Sequence, residues 1–227
     1  MRSDLVRQHD LVPEKILDTP ITIVGAGAIG SWVTLSLAKM GFENIRVYDD
    51  DEVDTVNLSS QFFRRSDVEK PKVLALKEMV EEFTGVDIDA IHGRFTNETG
   101  INPMPGIVIS AVDSMVSRKA IYQSSKNSPV KFLIDPRMGA ESALLYVCKP
   151  MDHDDRKRYE KTFYSDQEAV QERCTAKATI FTANMLSGLV CKTVRDVLVG
   201  DYKWHSQWSI KDDDFVAFPS AHASTSN

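Results

Sequence analysis

Residues 21–49, "ITIVGAGAIGSWVTLSLAKMGFENIRVYD", constrain this chain more than any other stretch. Ile21 to Val24 form a short β-branched run without polar alternation, the pattern of a parallel strand covered on both faces. Gly25, Gly27 and Gly30 follow as G-x-G-x-x-G. Ile29, Val33, Leu37 and Met40 then recur at helical spacing up to Gly41. "NIRVYD" supplies a second strand, so the segment predicts one βαβ unit. In such a unit the first glycine permits a tight turn. The second lets a phosphate approach the backbone, and the third allows close helix–strand packing. Backbone N–H groups at the helix N-terminus add a weak positive field for an anion. Its place between a strand and a helix turns a common glycine pattern into a predicted nucleotide site.

The alternation continues downstream. "PKVLALKEMVEEFTG" reads as a helix closed by Gly85, "VDIDAI" and "GIVISAVD" as strands, "SMVSRKAIYQSSKN" as a helix and "VKFLIDP" as a strand. "SALLYVCK" has no helix before it and reads as an antiparallel strand. The fold class expected is α/β, Rossmann-like: a mostly parallel sheet with helices on both faces and an antiparallel C-terminal extension. After Pro150, "MDHDDRKRYEKTFYSDQEAVQER" is dense in charge and poor in aliphatic residues, which predicts an exposed loop. "CTAKATIFTANMLSGLVCKTVRDVLVG" predicts a long apolar helix ending near Gly200, and "KWHSQWSI" with "DFVAF" a closing hairpin. One domain is expected over residues 1–219. It divides into an N-terminal arm (1–20), a nucleotide-binding core (21–150), a crossover loop (151–173) and a C-terminal helix and hairpin (174–219). Residues 220–227 are expected to be disordered.

Composition narrows the function classes. The 227 residues are 42% hydrophobic and 26% charged, enough for a sizeable core. A formal net charge of −6 gives no general attraction to nucleic acid or to an anionic membrane. No apolar run has the length of a membrane span, and "MRSDLVRQHDLVPEK" lacks the apolar core of a signal peptide, so a cytoplasmic location is the default expectation. Cys148, Cys174 and Cys191 are odd in number and contain no C-x-x-C pair, and the five histidines are scattered. No structural zinc is expected.

Four acidic residues, Asp49 to Glu52, close the second strand. Asp49 stands where such folds place a ribose-binding carboxylate, whose oxygens accept hydrogen bonds from adjacent hydroxyls. Asp50 and Glu52 read as ordinary surface charge. At this point a dinucleotide-dependent dehydrogenase and an ATP-using enzyme both fit.

The following residues separate the two. "DDDEVDTVNLSSQ" resembles the D-x-D-x-V-x-x-x-N-L-x-x-Q segment of the ubiquitin-activating-enzyme-like family, which includes the ThiF and MoeB types. "EKPKVLALKEMV" resembles that family's K-x-x-x-A helix, "VISAVDS" with Arg118 its D-x-x-D-N…R segment, and "VRQHDLV" its N-terminal R-Q element. The resemblance runs in order from about residue 7 to 135. It implies ATP-dependent adenylation of the C-terminal carboxylate of a small ubiquitin-like or sulfur-carrier protein that ends in glycine. On this resemblance Gly25, Gly27 and Gly30 shape the adenine-nucleotide site. Asp49 holds the ribose, and Asp51 belongs to the same cofactor-binding segment. Asn57, Gln61 and Lys72 line the phosphates, and Asp113 holds Mg²⁺. Arg7 acts as a finger into a partner subunit, since family members are commonly dimers. These residue types suit the chemistry, because negative charge builds where three anions meet.

Two positions depart from the pattern. Ser60 stands where the family has an arginine before Gln61, leaving Arg64 or Arg65 as possible substitutes, and Ser114 stands where it has asparagine. Cys174 begins a Cys-Thr pair resembling the position of a thioester-forming cysteine, with a helix N-terminus to lower its pKa; a cap-region cysteine without chemistry is the alternative. Cys148 and Cys191 read as core residues. The charged loop Asp152 to Glu172 is expected to clamp the carrier's extended tail. The rival readings are an NAD-dependent oxidoreductase and a non-catalytic nucleotide-binding subunit of an activating-enzyme heterodimer.

Overall fold

A computed structural model describes residues 3–95, 106–139, 141–164 and 179–219. Eight strands form one sheet: β1 (Ile21–Val24), β2 (Ile45–Asp49), β3 (Asp89–His92), β4 (Ile107–Ser110), β5 (Phe132–Met138), β6 (Ser142–Cys148), β7 (Lys203–Ser209) and β8 (Asp214–Pro219). Their spatial order is β3-β2-β1-β4-β5-β6-β7-β8. The first five pair in parallel, and β5 through β8 pair antiparallel. The expected fold class is the observed one.

Five α-helices accompany the sheet among the described residues: α1 (Gly30–Lys39), α2 (Lys72–Thr84), α3 (Met115–Lys126), α4 (His153–Glu160) and α5 (Ile180–Val199). β1 and β4, at the centre of the parallel half, are buried at every position, as their unalternated runs of Ile and Val predict, whereas the edge strand β3 is partly exposed. Ile23, Val47, Ile109 and Ile134 pack with Val33 of α1, Leu76 of α2 and Leu186 of α5. Val24, Tyr48, Val108 and Leu133 point the other way, into a second cluster with Ile121 and Tyr122 of α3 and Tyr159 of α4. Successive strand residues therefore serve opposite layers.

Strand order reverses between β1 and β4, from which the chain winds outward in both directions. In open α/β sheets the crevice at the carboxyl ends of such strands is the ligand site. Gly25 ends β1 with φ +100°, and a Cβ there would lie 2.4 Å from the Ala111 carbonyl oxygen. A Cβ on Gly30 would lie 1.8 Å from the Gly25 carbonyl oxygen, so the helix can meet the loop only without a side chain there.

The expected exposed loop after Pro150 needs correction. Residues 153–160 form α4, whose N-cap Asp152 accepts hydrogen bonds from the N–H groups of Asp154 and Asp155. Asp155 and Tyr159, four residues apart, share its buried face. Tyr159 packs between Tyr122 and Phe163. Charge on the remaining positions hid this short amphipathic turn. The long C-terminal helix is described from Ile180, with Thr179 as its N-cap, to Val199. Cys174 and residues 165–172 of the expected tail clamp lie outside the described residues.

Candidate nucleotide and carboxylate site

A cavity of about 1070 Å³ occupies the crevice at the carboxyl ends of β2, β1, β4 and β5. Gly25, Gly27, Asp49, Asp51, Asn57, Gln61, Lys72 and Asp113 all line it, so the fold gathers eight of the predicted site residues into one space. Gly30 sits behind the wall, against Gly25. Gly27 is different from both other glycines: a Cβ there would meet nothing within 4 Å, which leaves the backbone open toward the cavity.

Asp49 fastens the end of β2 to the glycine loop. Its Oδ2 accepts a hydrogen bond from the Ala26 N–H at 2.6 Å, and its Oδ1 one from the Asp51 N–H at 2.9 Å. Burial pushes its pKa above the ordinary value, against the opposing pull of those two N–H groups and of Lys72. Asp51 is tied to Lys72 twice. Its carbonyl accepts the Lys72 backbone N–H at 2.9 Å, and its Oδ2 lies 2.7 Å from the ammonium. Lys72 is buried and starts α2, where a cation opposes the helix dipole. Folding alone would not choose that residue there.

A short 3₁₀ turn, Thr55–Ser59, carries the next elements. Asp54 caps it by accepting from Val56, while the Asn57 Oδ1 accepts from the Asp54 N–H. The Asn57 Nδ2 makes no hydrogen bond among the described residues. Gln61 has a buried side-chain oxygen with no partner there either. An orphaned buried amide oxygen at the wall of a cavity is satisfied when a ligand brings a hydrogen-bond donor to it. Asp113, exposed just past β4, makes no ion pair or hydrogen bond among the described residues, and its hard oxygens suit Mg²⁺. Among the described residues the one group of three metal-ligand types is Asp49, Asp50 and Asp51, also all oxygen.

The departures at Ser60 and Ser114 have distinct structural outcomes. Ser114 caps α3, its Oγ accepting the Ser117 N–H at 3.1 Å, a task serine and asparagine perform about equally. Ser60 is buried at the cavity wall, and its carbonyl accepts the Trp32 indole N–H. Arg64 is engaged elsewhere, with Asp67, Glu78 and Glu82. Neither Arg64 nor Arg65 lines the cavity. Arg7, exposed on the 3₁₀ turn Ser3–Gln8, does not line it either.

Three further cations stand at the cavity wall: Arg118, which closes the D-x-x-D-N…R resemblance, and Arg94 and Arg137, which no motif marks. Arg118 and Arg137 flank the fully buried Asp135. An Asp-x-Arg pair at the end of a predicted strand puts both side chains on one face. That was the available signal.

A family model described as "ThiF family" matches residues 4–212. Among curated relatives, tRNA threonylcarbamoyladenosine dehydratase 2 of Saccharomyces cerevisiae is 29% identical over 136 residues, covering 57% of this chain and 30% of that protein. Sulfur carrier protein ThiS adenylyltransferase of Escherichia coli is 28% identical over 143 residues, covering 61% of this chain and 57% of that protein. The chain thus aligns with less than two thirds of the length of either. Among solved structures, Escherichia coli MccB with ATP superposes with a TM-score of 0.69 at 14% identity, covering 93% of this chain and 68% of MccB, a likeness of fold.

Proposed function

The chain belongs to the ThiF family, and from that premise we propose that it adenylates the C-terminal carboxylate of a small ubiquitin-like or sulfur-carrier protein, with ATP as co-substrate and pyrophosphate as product. The observation that carries this reading is the convergence on one cavity of an open glycine backbone, Asp49, the orphaned Gln61 side-chain oxygen, a buried Lys72 and an Asp113 that is unpaired among the described residues. A dehydrogenase accounts for the glycines and Asp49 but has no use for the other three.

In this reading Asp49 accepts the ribose hydroxyls while holding the glycine loop through Ala26. Gly27 lets the phosphates approach the backbone, Asn57 and Lys72 supply donors along them, and Gln61 lines the same stretch. A carboxylate oxygen of the carrier attacks the α-phosphorus, the bond to the bridging oxygen breaks, and pyrophosphate leaves. The attacking group is already ionised, so no general base is needed. Asp113 would hold Mg²⁺, which would supply charge neutralisation at the phosphates. The remaining work is positioning and charge neutralisation. Family resemblance supports a homodimer in which Arg7 reaches the neighbouring site, and a second step in which the acyl group moves to Cys174.

The test is carrier-dependent exchange of labelled pyrophosphate into ATP, using small ubiquitin-like proteins with and without their terminal glycine. Exchange that requires the glycine-ended carrier is expected. Ser60, which removes a cation from the phosphate region, favours a second reading as a nucleotide-binding subunit without turnover; ATP binding with no exchange for any carrier would select it.

A further inference from the structure

Arg118 and Arg137 are both about 95% buried, both line the cavity, and both pair with the same carboxylate, Asp135. Among the described residues no second carboxylate lies within ion-pair distance of either. Tyr159 donates its hydroxyl proton to Asp135 Oδ2 at 2.9 Å and stays neutral, since burial raises its pKa well above the ordinary value. Two guanidinium charges therefore face one carboxylate, and one positive charge is left over at the wall. A buried charge without a counter-ion is costly. An anion entering from the cavity removes that cost.

The two arginines are not equivalent. Arg118 donates to Asp135 and to the backbone carbonyls of Ser110, Val112 and Pro136, which fixes it to the ends of β4 and β5. Arg137 donates from Nε to Asp135 at 2.9 Å, from Nη1 to the Thr162 carbonyl at 2.7 Å and from Nη2 to the Thr162 hydroxyl at 2.8 Å. Nη1 carries two protons and spends one, so Arg137 keeps a donor without a partner among the described residues. Its Cζ lies 4.6 Å from the centre of the Tyr146 ring, which further restricts the guanidinium plane.

Strand order indicates which anion this is. Along the carboxyl edge of the sheet run Asp49 at β2, the glycine loop after β1, Asp113 after β4, and Arg137 at the end of β5. If ribose lies at β2 and phosphates at β1, the space beyond Asp113 is where the second substrate meets the phosphates. One net positive charge and a fixed planar donor match a carboxylate. We propose that Arg137 is the carboxylate-recognition residue of the cavity, binding the free C-terminal carboxylate of the polypeptide substrate next to the nucleotide. This inference rests on the adenylation reading.

The experiment follows the ¹⁵N side-chain resonance of Arg137 in the full chain saturated with Mg²⁺ and α,β-methylene-ATP, on adding N-acetyl-glycylglycine or its C-terminal amide. The acid is expected to shift the resonance and the amide to leave it in place. Arg137→Gln should weaken binding of the acid by about tenfold or more, and Arg137→Lys should recover part of the loss. The wild-type titration stands by itself if the glutamine variant does not fold. No shift with the acid, an equal shift with the amide, or a shift already complete with the nucleotide alone would overturn the assignment, the last by making phosphate the anion. Failure of the nucleotide to bind would instead remove the adenylation reading, while the acid and amide titrated alone would still decide whether Arg137 binds a carboxylate.

Discussion

Lys72 Nζ lies 2.7 Å from Asp51 Oδ2 although the two side chains occupy opposite environments, that of Lys72 7% exposed and that of Asp51 68%. The pair is half in water, so its own contribution to stability is small. It holds a buried ammonium at the cavity wall.

Replacing Lys72 by methionine keeps the buried stem and removes the charge. Fold stability is expected to change by less than about 1 kcal/mol, whereas ATP·Mg²⁺ should bind about tenfold or more weakly. Thermal denaturation and calorimetry on the same preparation separate the two effects. Equal losses in both would make Lys72 a structural residue.

The glycines predict opposite behaviour from the same substitution. Gly30→Ala would force a Cβ to within 1.8 Å of the Gly25 carbonyl oxygen, so the helix must move from the loop. A stability loss of about 1–3 kcal/mol is expected, the range for overpacking. Gly27→Ala meets no atom within 4 Å and should leave the melting temperature nearly unchanged. It places a methyl in the cavity, so nucleotide affinity should fall. Urea denaturation of the two variants, with and without ATP·Mg²⁺, measures both.

Asp67 anchors Arg64 and Lys70, with no exposure of its own side chain. Burial would raise its pKa, but hydrogen bonds from Arg64 and Lys70 outweigh that and hold it below the ordinary 3.8. The unfolded chain binds this proton more readily, so the stabilisation is present above pH 3.8 and disappears as pH falls through the folded-state value. Asp67→Asn should flatten this part of the acid-denaturation curve. Arg64→Ala should destabilise by roughly 1 kcal/mol and leave ATP affinity unchanged, because Arg64 is turned away from the cavity; weakened ATP binding would make it the replacement for the arginine missing at Ser60.

For Asp49 the sign is opposite. Burial raises its pKa, so the folded state holds a proton at pH values where the unfolded carboxyl has lost it, and ionisation lowers stability as pH rises through that window. Ribose needs the ionised acceptor. ATP affinity should therefore decline on acidification starting at a higher pH than an ordinary aspartate would give, and Asp49→Asn should abolish that limb. Calorimetric titrations at several pH values test it.

The parallel half of the sheet was legible because its strands are unalternated runs closed by glycine or aspartate, and buried parallel strands leave few other readings for them. The gathering of Asn57, Gln61, Lys72 and Asp113 followed from motif order, since the first two lie in the segment after β2, Lys72 begins α2 and Asp113 follows β4, all at one edge of the sheet. Helix α4 was not legible: with Tyr159 its one large apolar residue on the buried face, periodicity had nothing to register. Arg137 escaped for another reason. Asp135 stands close to it in sequence, but its other partners, Thr162 and Tyr146, lie on segments that only folding brings to it.

The most direct test of the central claim is calorimetric titration of the wild type and of an Asp113→Ala, Lys72→Ala double variant with ATP·Mg²⁺ and with NAD. ATP·Mg²⁺ is expected to bind the wild type and the double variant to lose most of this affinity, with NAD binding neither. NAD binding that is indifferent to both substitutions would contradict it.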